Sequence, residues 1–371
     1  MEDRKIRVAI THGDTNGIGY ELIFKTFAES EMLELCTPII YGSPKVAAYH
    51  RNVLGIQANF SIINKAEEAH DERINLLTVF DRDVKVDIGK PNEESGTCAV
   101  KALERAIEDQ KKGLVDAIVC APVSENFFKY KGMALKEQSE LLEKELGNGA
   151  KALRMIIGKK IRLAFATTDI PLKDVSTAIT KQLIEEKATA LYDTLKRDFR
   201  ITNPRIAVLA LNPSIDKENN ENTEETIIIK PAIEKLESEG KQAFGPYTAE
   251  EFFGEAQYTA FDGVLAMYKD QGIIPYRTIE QENGLKLSAA MPVIMTQPDM
   301  GPEFRKAGKG EVDEQPMRNA IYMAIDIVRN RSSYDEPLKN PLKKLYHEKR
   351  DESEKVRFSI PKKQSKENDE E

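Results

Sequence analysis

The 371-residue chain is poor in the residues that usually announce a metal centre or a disulfide framework. Its only cysteines are Cys36, Cys98 and Cys120, an odd number with no C-x-x-C pair. That pattern excludes a stapled small domain and a thiolate zinc site, and it leaves reduced, partly buried thiols as the expectation. Histidine is nearly as scarce, and His12, His50, His70 and His347 show no ligand spacing such as H-x-x-x-H. His12 alone adjoins a motif, and a surface or capping role is expected for it. No stretch approaches the roughly 18 consecutive apolar residues of a membrane helix, and the opening Met1-Glu2-Asp3-Arg4-Lys5 runs straight into a strand-like segment. A cytoplasmic protein with no membrane contact is therefore expected. Positive charge is not in excess either: the formal net charge is -8, with no basic patch interleaved with aromatics, which argues against a nucleic-acid partner.

What the chain does have is 40% hydrophobic and 31% charged residues, enough to close one large or two medium domains. Short β-branched runs at 7–10, 38–41, 117–120, 162–166, 205–210 and 263–267 are each followed by a loop and an amphipathic stretch. Strands separated by helices require crossover connections, which predicts an α/β fold with largely parallel sheets covered by helices. Among the helices, 97–112 carries Val100, Leu103 and Ile107 on one face, and 177–197 carries Ile184, Ala188, Leu191 and Leu195. The composition changes near Asn330. The boundaries read as one α/β unit over 1–335 and a charged, disordered tail over 336–371, with a short helix possible at 342–349. So few large apolar residues occur in that tail that burial cannot offset its ordering entropy.

Chemistry is expected first at Thr11-His12-Gly13-Asp14-Thr15-Asn16-Gly17-Ile18-Gly19, which follows the first strand and opens a helix. Glycines in such a place let the backbone turn tightly or approach a ligand, but the spacing is neither G-x-G-x-x-G nor a P-loop. Further motifs follow in order: Ala121-Pro122-Val123-Ser124, Leu211-Asn212-Pro213 with Thr223-Glu224-Glu225, Ala266-Met267-Tyr268 with Asp270-Gln271-Gly272, and Ala307-Gly308-Lys309-Gly310. Together these cover about residues 6 to 330, and the series resembles the 4-hydroxythreonine-4-phosphate dehydrogenase (PdxA) family.

The resemblance implies a two-lobed, isocitrate dehydrogenase-like fold with a cleft between discontinuous lobes, and a homodimer whose partner helps complete each site. It implies NAD-dependent oxidation of 4-phosphohydroxy-threonine in pyridoxal phosphate synthesis, assisted by a divalent metal held on three histidines. The family's Thr-His-x-Pro-Leu, Asn-Pro-His-Ala-Gly and Tyr-His-Asp-Gln-Gly stand here as Thr168-Asp169-Ile170-Pro171-Leu172, Asn212-Pro213-Ser214-Ile215-Asp216 and Tyr268-Lys269-Asp270-Gln271-Gly272. Asp169, Ser214 and Lys269 thus occupy the former ligand positions. An ammonium offers only donors and a positive charge there, so no metal is expected. If Lys269 projects into the old ion site, it should pair with Asp169 as a fixed cation.

The family's Gly-His-Thr-Glu corresponds to Glu137-Gln138-Ser139-Glu140, which adds a carboxylate where a phosphate would be gripped. Glu125 replaces a family lysine, and the glycine-rich loop after Asn-Pro-His becomes Ile215 to Glu221. By position, the resemblance assigns Lys269 and Asp270 to catalysis and Gln138, Ser139, Arg277 and Lys286 to substrate. Met295 falls at a family arginine. Asp299, Gly301 and Gly308 persist in the stretch that serves NAD, which keeps that cofactor in play. The expectation is a family member with its metal-dependent activity lost or altered, acting as a binding or regulatory protein or pairing with an active paralogue. A working 4-hydroxythreonine-4-phosphate dehydrogenase, or a metal-independent oxidoreductase on a related phosphorylated hydroxy acid, is the alternative.

Overall fold

The structure, a computed structural model, describes residues 4–80, 83–147, 149, 151–215, 223–280 and 284–340. Its strands are β1 (Arg7–Thr11), β2 (Thr37–Gly42), β3 (Phe60–Ile63), β4 (Ile74–Thr78), β5 (Ala117–Cys120), β6 (Lys129–Tyr130), β7 (Met133–Ala134), β8 (Leu153–Ile157), β9 (Arg162–Phe165), β10 (Arg205–Leu209), β11 (Gln242–Tyr247), β12 (Gly263–Ala266), β13 (Leu285–Ala289) and β14 (Met295–Pro298). Twelve of them form one sheet in the order β11-β10-β12-β9-β8-β13-β14-β5-β1-β2-β4-β3, and β6 with β7 makes a separate hairpin.

The six strands expected from β-branched runs are all present, and each pairs in parallel with at least one neighbour. The centre of the sheet differs, because β9, β8, β13 and β14 run antiparallel to one another. The β8–β9 link is a tight turn in which the Gly158 amide donates to the Ile161 carbonyl, and such a link has no room for a crossover helix.

Alternate residues of each strand enter opposite layers. Val8, Ile10, Leu76, Met155, Val208 and Leu265 join one core that runs beneath the whole sheet. On the other face Ala9, Ile39, Ile118 and Met295 build one cluster, while Leu163, Ala207, Val264 and Phe252 build another.

The helix expected at 97–112 begins earlier, as Glu93–Lys111, because Asn92 and Ser95 form a capping box. The helix expected at 177–197 is two. Leu172–Ala178 stops first, and Thr180 then caps Lys181–Arg197 by accepting from the Leu183 amide at 3.1 Å. The compact unit runs to Tyr334. The second unit begins at Asp335, one residue before the expected tail, and its residues 335–339 are helical, as the end of the helix Gln315–Lys339, since a helix anchored by Met317, Ile321 and Ile325 propagates cheaply beyond its buried stretch. Positions 341–371, with the helix expected at 342–349 and His347, lie outside the described residues.

None of the three cysteines is in a disulfide, all are fully buried rather than partly so, and burial pushes the Cys36 and Cys120 thiols up to about 12. His12 is neither on the surface nor at a cap. It is fully buried, stacked on Tyr20 at 5.3 Å and edge-on to Phe80 at 6.0 Å, with both ring nitrogens unpartnered among the described residues. Burial pushes its pKa down to about 4. No described helix is long and apolar enough to cross a membrane.

Candidate functional site

The glycine-bearing segment after β1 is a buried turn. Gly13 adopts φ +69, and a Cβ there would lie 2.2 Å from the Pro122 carbonyl oxygen; a Cβ on Gly19 would lie 1.9 Å from that of His12. Asp14 locks the turn by accepting from the Asn16 amide at 2.9 Å and from Ser95 Oγ at 3.1 Å. The glycines serve close packing of backbone on backbone.

The loops that leave the carboxyl ends of β9, β10 and β12 carry Asp169, Ser214 and Lys269, the edge where parallel sheets bind ligands. Gln271 ties two of these ends together: it accepts from the Met267 amide at 2.8 Å and donates to the Ala210 carbonyl at 2.6 Å. Gly272 lets its helix, Lys269–Glu280, approach β9, since a Cβ would meet Leu163 at 2.7 Å. Glu225 fixes the β10 loop through the amides of Leu211 (2.9 Å) and Asn212 (2.8 Å). Burial opposes its charge, but hydrogen bonds from Asn212 outweigh that and lower its pKa.

Lys269 does pair with Asp169, Nζ to Oδ1 at 3.6 Å. Asp169 sits at φ +50, in the left-handed region that aspartate tolerates better than most residues. Ser214 is exposed and makes no hydrogen bond to either of them among the described residues, and positions 216–222 of the former glycine loop lie outside those residues. Asp270 is exposed in the first turn of its helix, where a negative charge suits the helix dipole.

A residue that sequence reasoning missed organises this region. The Arg154 guanidinium, on β8, lies 3.0 Å from Glu137, 3.2 Å from Glu140 and in contact with Asp169, and it donates to Thr168 Oγ1 at 2.7 Å. These four charged side chains are only 19–24% exposed. Burial opposes the guanidinium's charge, yet Glu137, Asp169 and Glu140 outweigh it and raise its pKa. The available signal was a lone arginine inside the apolar run Leu153-Arg154-Met155-Ile156.

A neighbouring cavity of about 430 Å³ gathers several of the expected residues, including Gln138, Arg277, Lys286, Asp299 and Gly301. Gln138 is buried and donates to the Ala121 carbonyl at 3.1 Å and to Gln297 Oε1 at 3.2 Å. Ser139 is also buried and donates to Glu137 at 3.3 Å. Asp299, 1% exposed, stands between Arg277 at 2.7 Å and Lys286 at 4.0 Å, so residues assigned to substrate and to cofactor share one cluster. Glu125 adds an acid to the lining. Gly308 is not part of this lining; its α-carbon faces Ile88 and Val53. Met295 is buried in β14.

A divalent ion does not suit this donor set. Asp169 is already shared by two cations, Lys269 has no lone pair to offer while protonated, and Ser214 is a weak neutral ligand. Among the described residues, no group of three His, Cys, Asp or Glu side chains is arranged to hold an ion.

A mostly parallel sheet with a charged cavity at its carboxyl edge defines an α/β protein with a site of small-molecule size. Residues 34–324 match the model of the pyridoxal phosphate biosynthetic protein PdxA, and the chain belongs to that family. It is 48% identical over 358 residues to 4-hydroxythreonine-4-phosphate dehydrogenase of Bacteroides thetaiotaomicron, covering 96% of this chain and 98% of that protein. The enzyme of the same name from a Sulfurihydrogenibium species is 32% identical over 88% of this chain and 99% of its own length. The crystal structure of the Klebsiella pneumoniae 4-hydroxythreonine-4-phosphate dehydrogenase superposes with a TM-score of 0.74 at 26% identity, over 88% of this chain and all of that one.

Proposed function

We propose that this PdxA-family protein keeps the family's cleft but has lost or altered the metal-dependent oxidation of 4-phosphohydroxy-L-threonine. The observation that carries the reading is Arg154 held against Glu137, Glu140 and Asp169. That guanidinium and the Lys269 ammonium hold Asp169 from two sides, so the one carboxylate at a former ligand position is committed to fixed cations, and an incoming ion would meet two positive charges beside it. Such a cleft is suited to an anionic ligand met by Arg277 and Lys286, with NAD as the cofactor that family membership implies. Buried thiols outside any disulfide fit a reducing, cytoplasmic setting. A two-lobed homodimer, or a pair with an active paralogue, fits the exposed apolar side chains Ile170 beside Asp169, Leu172 at the start of the helix that follows it, and Ile274 on the helix that carries Lys269.

The second reading, a working dehydrogenase, is favoured by the 48% identity to the Bacteroides enzyme. One assay separates them: NADH formation from 4-phosphohydroxy-L-threonine and NAD, with magnesium or zinc and then with a chelator. The proposal expects no chelator-sensitive turnover. Robust turnover that the chelator abolishes would establish the second reading.

A further inference from the structure

Beside Arg154 lies a smaller cavity of about 120 Å³, lined by Lys151, Arg154, Lys187, Thr168, Glu143 and Phe165 among others. It shares Lys151, Thr168 and Lys187 with an adjoining cavity of about 390 Å³ whose walls include Leu153 and Leu183. None of these lysines belongs to the cluster around Asp299.

Lys187 is the unusual member. It sits on the helix Lys181–Arg197 between the buried positions Ile184, Ala188 and Leu191, on the face that packs toward the sheet. A lysine there carries its ammonium into a half-buried place, and burial lowers its pKa. Among the described residues it makes no direct ion pair or hydrogen bond; Glu143 is the strongest favourable charge acting on it and does not outweigh the burial, which leaves the ammonium incompletely compensated.

The rest of the lining tells which ligand would relieve that cost. Glu143 is the one carboxylate, and its Oε1 is occupied by the Ala152 amide at 2.9 Å. Arg154 is fully engaged by Glu137, Glu140 and Asp169, which outnumber its charge, so it is not available to a ligand. Thr168 Oγ1 accepts from Arg154, so its hydroxyl proton is free to donate. Lys151 is exposed at the margin and also lacks an ion pair among the described residues. Two ammonium groups without a direct ion pair and a hydroxyl donor, against the single carboxylate of Glu143, face a space of about four waters' volume, by the rule of about 30 Å³ per water.

We propose that this cavity is a binding site for a small oxyanion, a phosphate or carboxylate group, held by Lys187, Lys151 and Thr168. Any larger body attached to that group would lie in the apolar part of the adjoining cavity. Because Thr168 shares Arg154 with Asp169, occupancy bears directly on the ion-pair network of the cleft. The site stands whether or not the chain oxidises anything.

The test is calorimetric titration of the full chain with sodium phosphate at constant ionic strength, repeated with sodium acetate. The variants are Lys187→Met, whose apolar chain keeps the helix packing, Lys151→Gln, and Lys129→Gln as a control at an exposed lysine paired with Glu93. The expected result is saturable binding of at least one of the two anions, weakened at least tenfold by Lys187→Met, weakened less by Lys151→Gln and unchanged by Lys129→Gln. Phosphate binding alone assigns a phosphate group to the site, and acetate binding alone a carboxylate. Absence of binding by either anion overturns the proposal, as does binding that survives Lys187→Met unchanged. The readout contains no NADH, so its failure is distinct from failure of the functional reading.

Discussion

Arg154 Nε lies 3.0 Å from Glu137 Oε2, and neither member of that pair was isolated from its surroundings: the same guanidinium also touches Asp169. Glu137 and Asp169 are two of the positions where the motifs depart from the family, a glycine and a histidine respectively. Both departures converge on one cation, so they are one electrostatic change rather than two.

Removing that cation should leave three carboxylates facing one another. Arg154→Met is expected to lower stability at neutral pH by about 2 kcal/mol, below the 3–5 kcal/mol of a fully buried pair because these side chains retain some exposure. Millimolar calcium or magnesium should recover part of the loss by binding the exposed acids. Urea unfolding with and without the ion checks both statements. Wild-type stability in the variant would show the network to be ornamental.

Restoring histidine at all three former ligand positions, in the variant Asp169→His, Ser214→His, Lys269→His, is expected to yield no metal-dependent NADH formation. Arg154 would still hold its positive charge beside the new ligands, and Glu137 and Gln138 would still alter the phosphate grip. Zinc content and initial rates decide the matter, and brisk turnover would contradict the expectation.

The buried His12 makes stability depend on acid. Its folded pKa of about 4 lies below the ordinary 6.5, so the unfolded chain takes up a proton first as pH falls. Its contribution is fully present above about 6.5 and is lost progressively down to about 4. His50, whose pKa burial also lowers, acts in the same direction. Replacing the ring by another aromatic, His12→Phe, should flatten the slope of unfolding free energy against pH in that window. The full effect is on the order of 3 kcal/mol at 1.36 kcal/mol per unit.

Two glycines should respond in opposite ways. Gly13→Ala combines φ +69 with a contact at 2.2 Å and should cost several kcal/mol, on the order of 3 or more. Gly301→Ala meets nothing within 4 Å and should change stability by no more than about 0.5 kcal/mol. Thermal melts of the two variants give the comparison directly.

The fold was largely legible in the sequence because the parallel strands β1, β2, β5, β9, β10 and β12 are buried along nearly their whole length and so read as short unbroken apolar runs. The strands that escaped notice, such as β3 and β8, interrupt that signal with polar residues, Ser61 and Arg154. The break between the helices at Leu172–Ala178 and Lys181–Arg197 also escaped, because apolar spacing continues across a cap that is set by one threonine side chain.

The sequence by itself determined the family, the crossover architecture and the loss of three ligand histidines, since these depend on residue identity and order along the chain. It also offered the pairing of Lys269 with Asp169, on the condition that Lys269 projects into the former ion site, and the structure meets that condition. Only the tertiary structure decided that Arg154 joins them, that His12 is buried, and that Lys187 faces a cavity. Those facts depend on which side chains meet across the sheet, from positions such as Glu137, Arg154 and Asp169 that share no local spacing, and Coulomb attraction acts over distance in space rather than along the sequence.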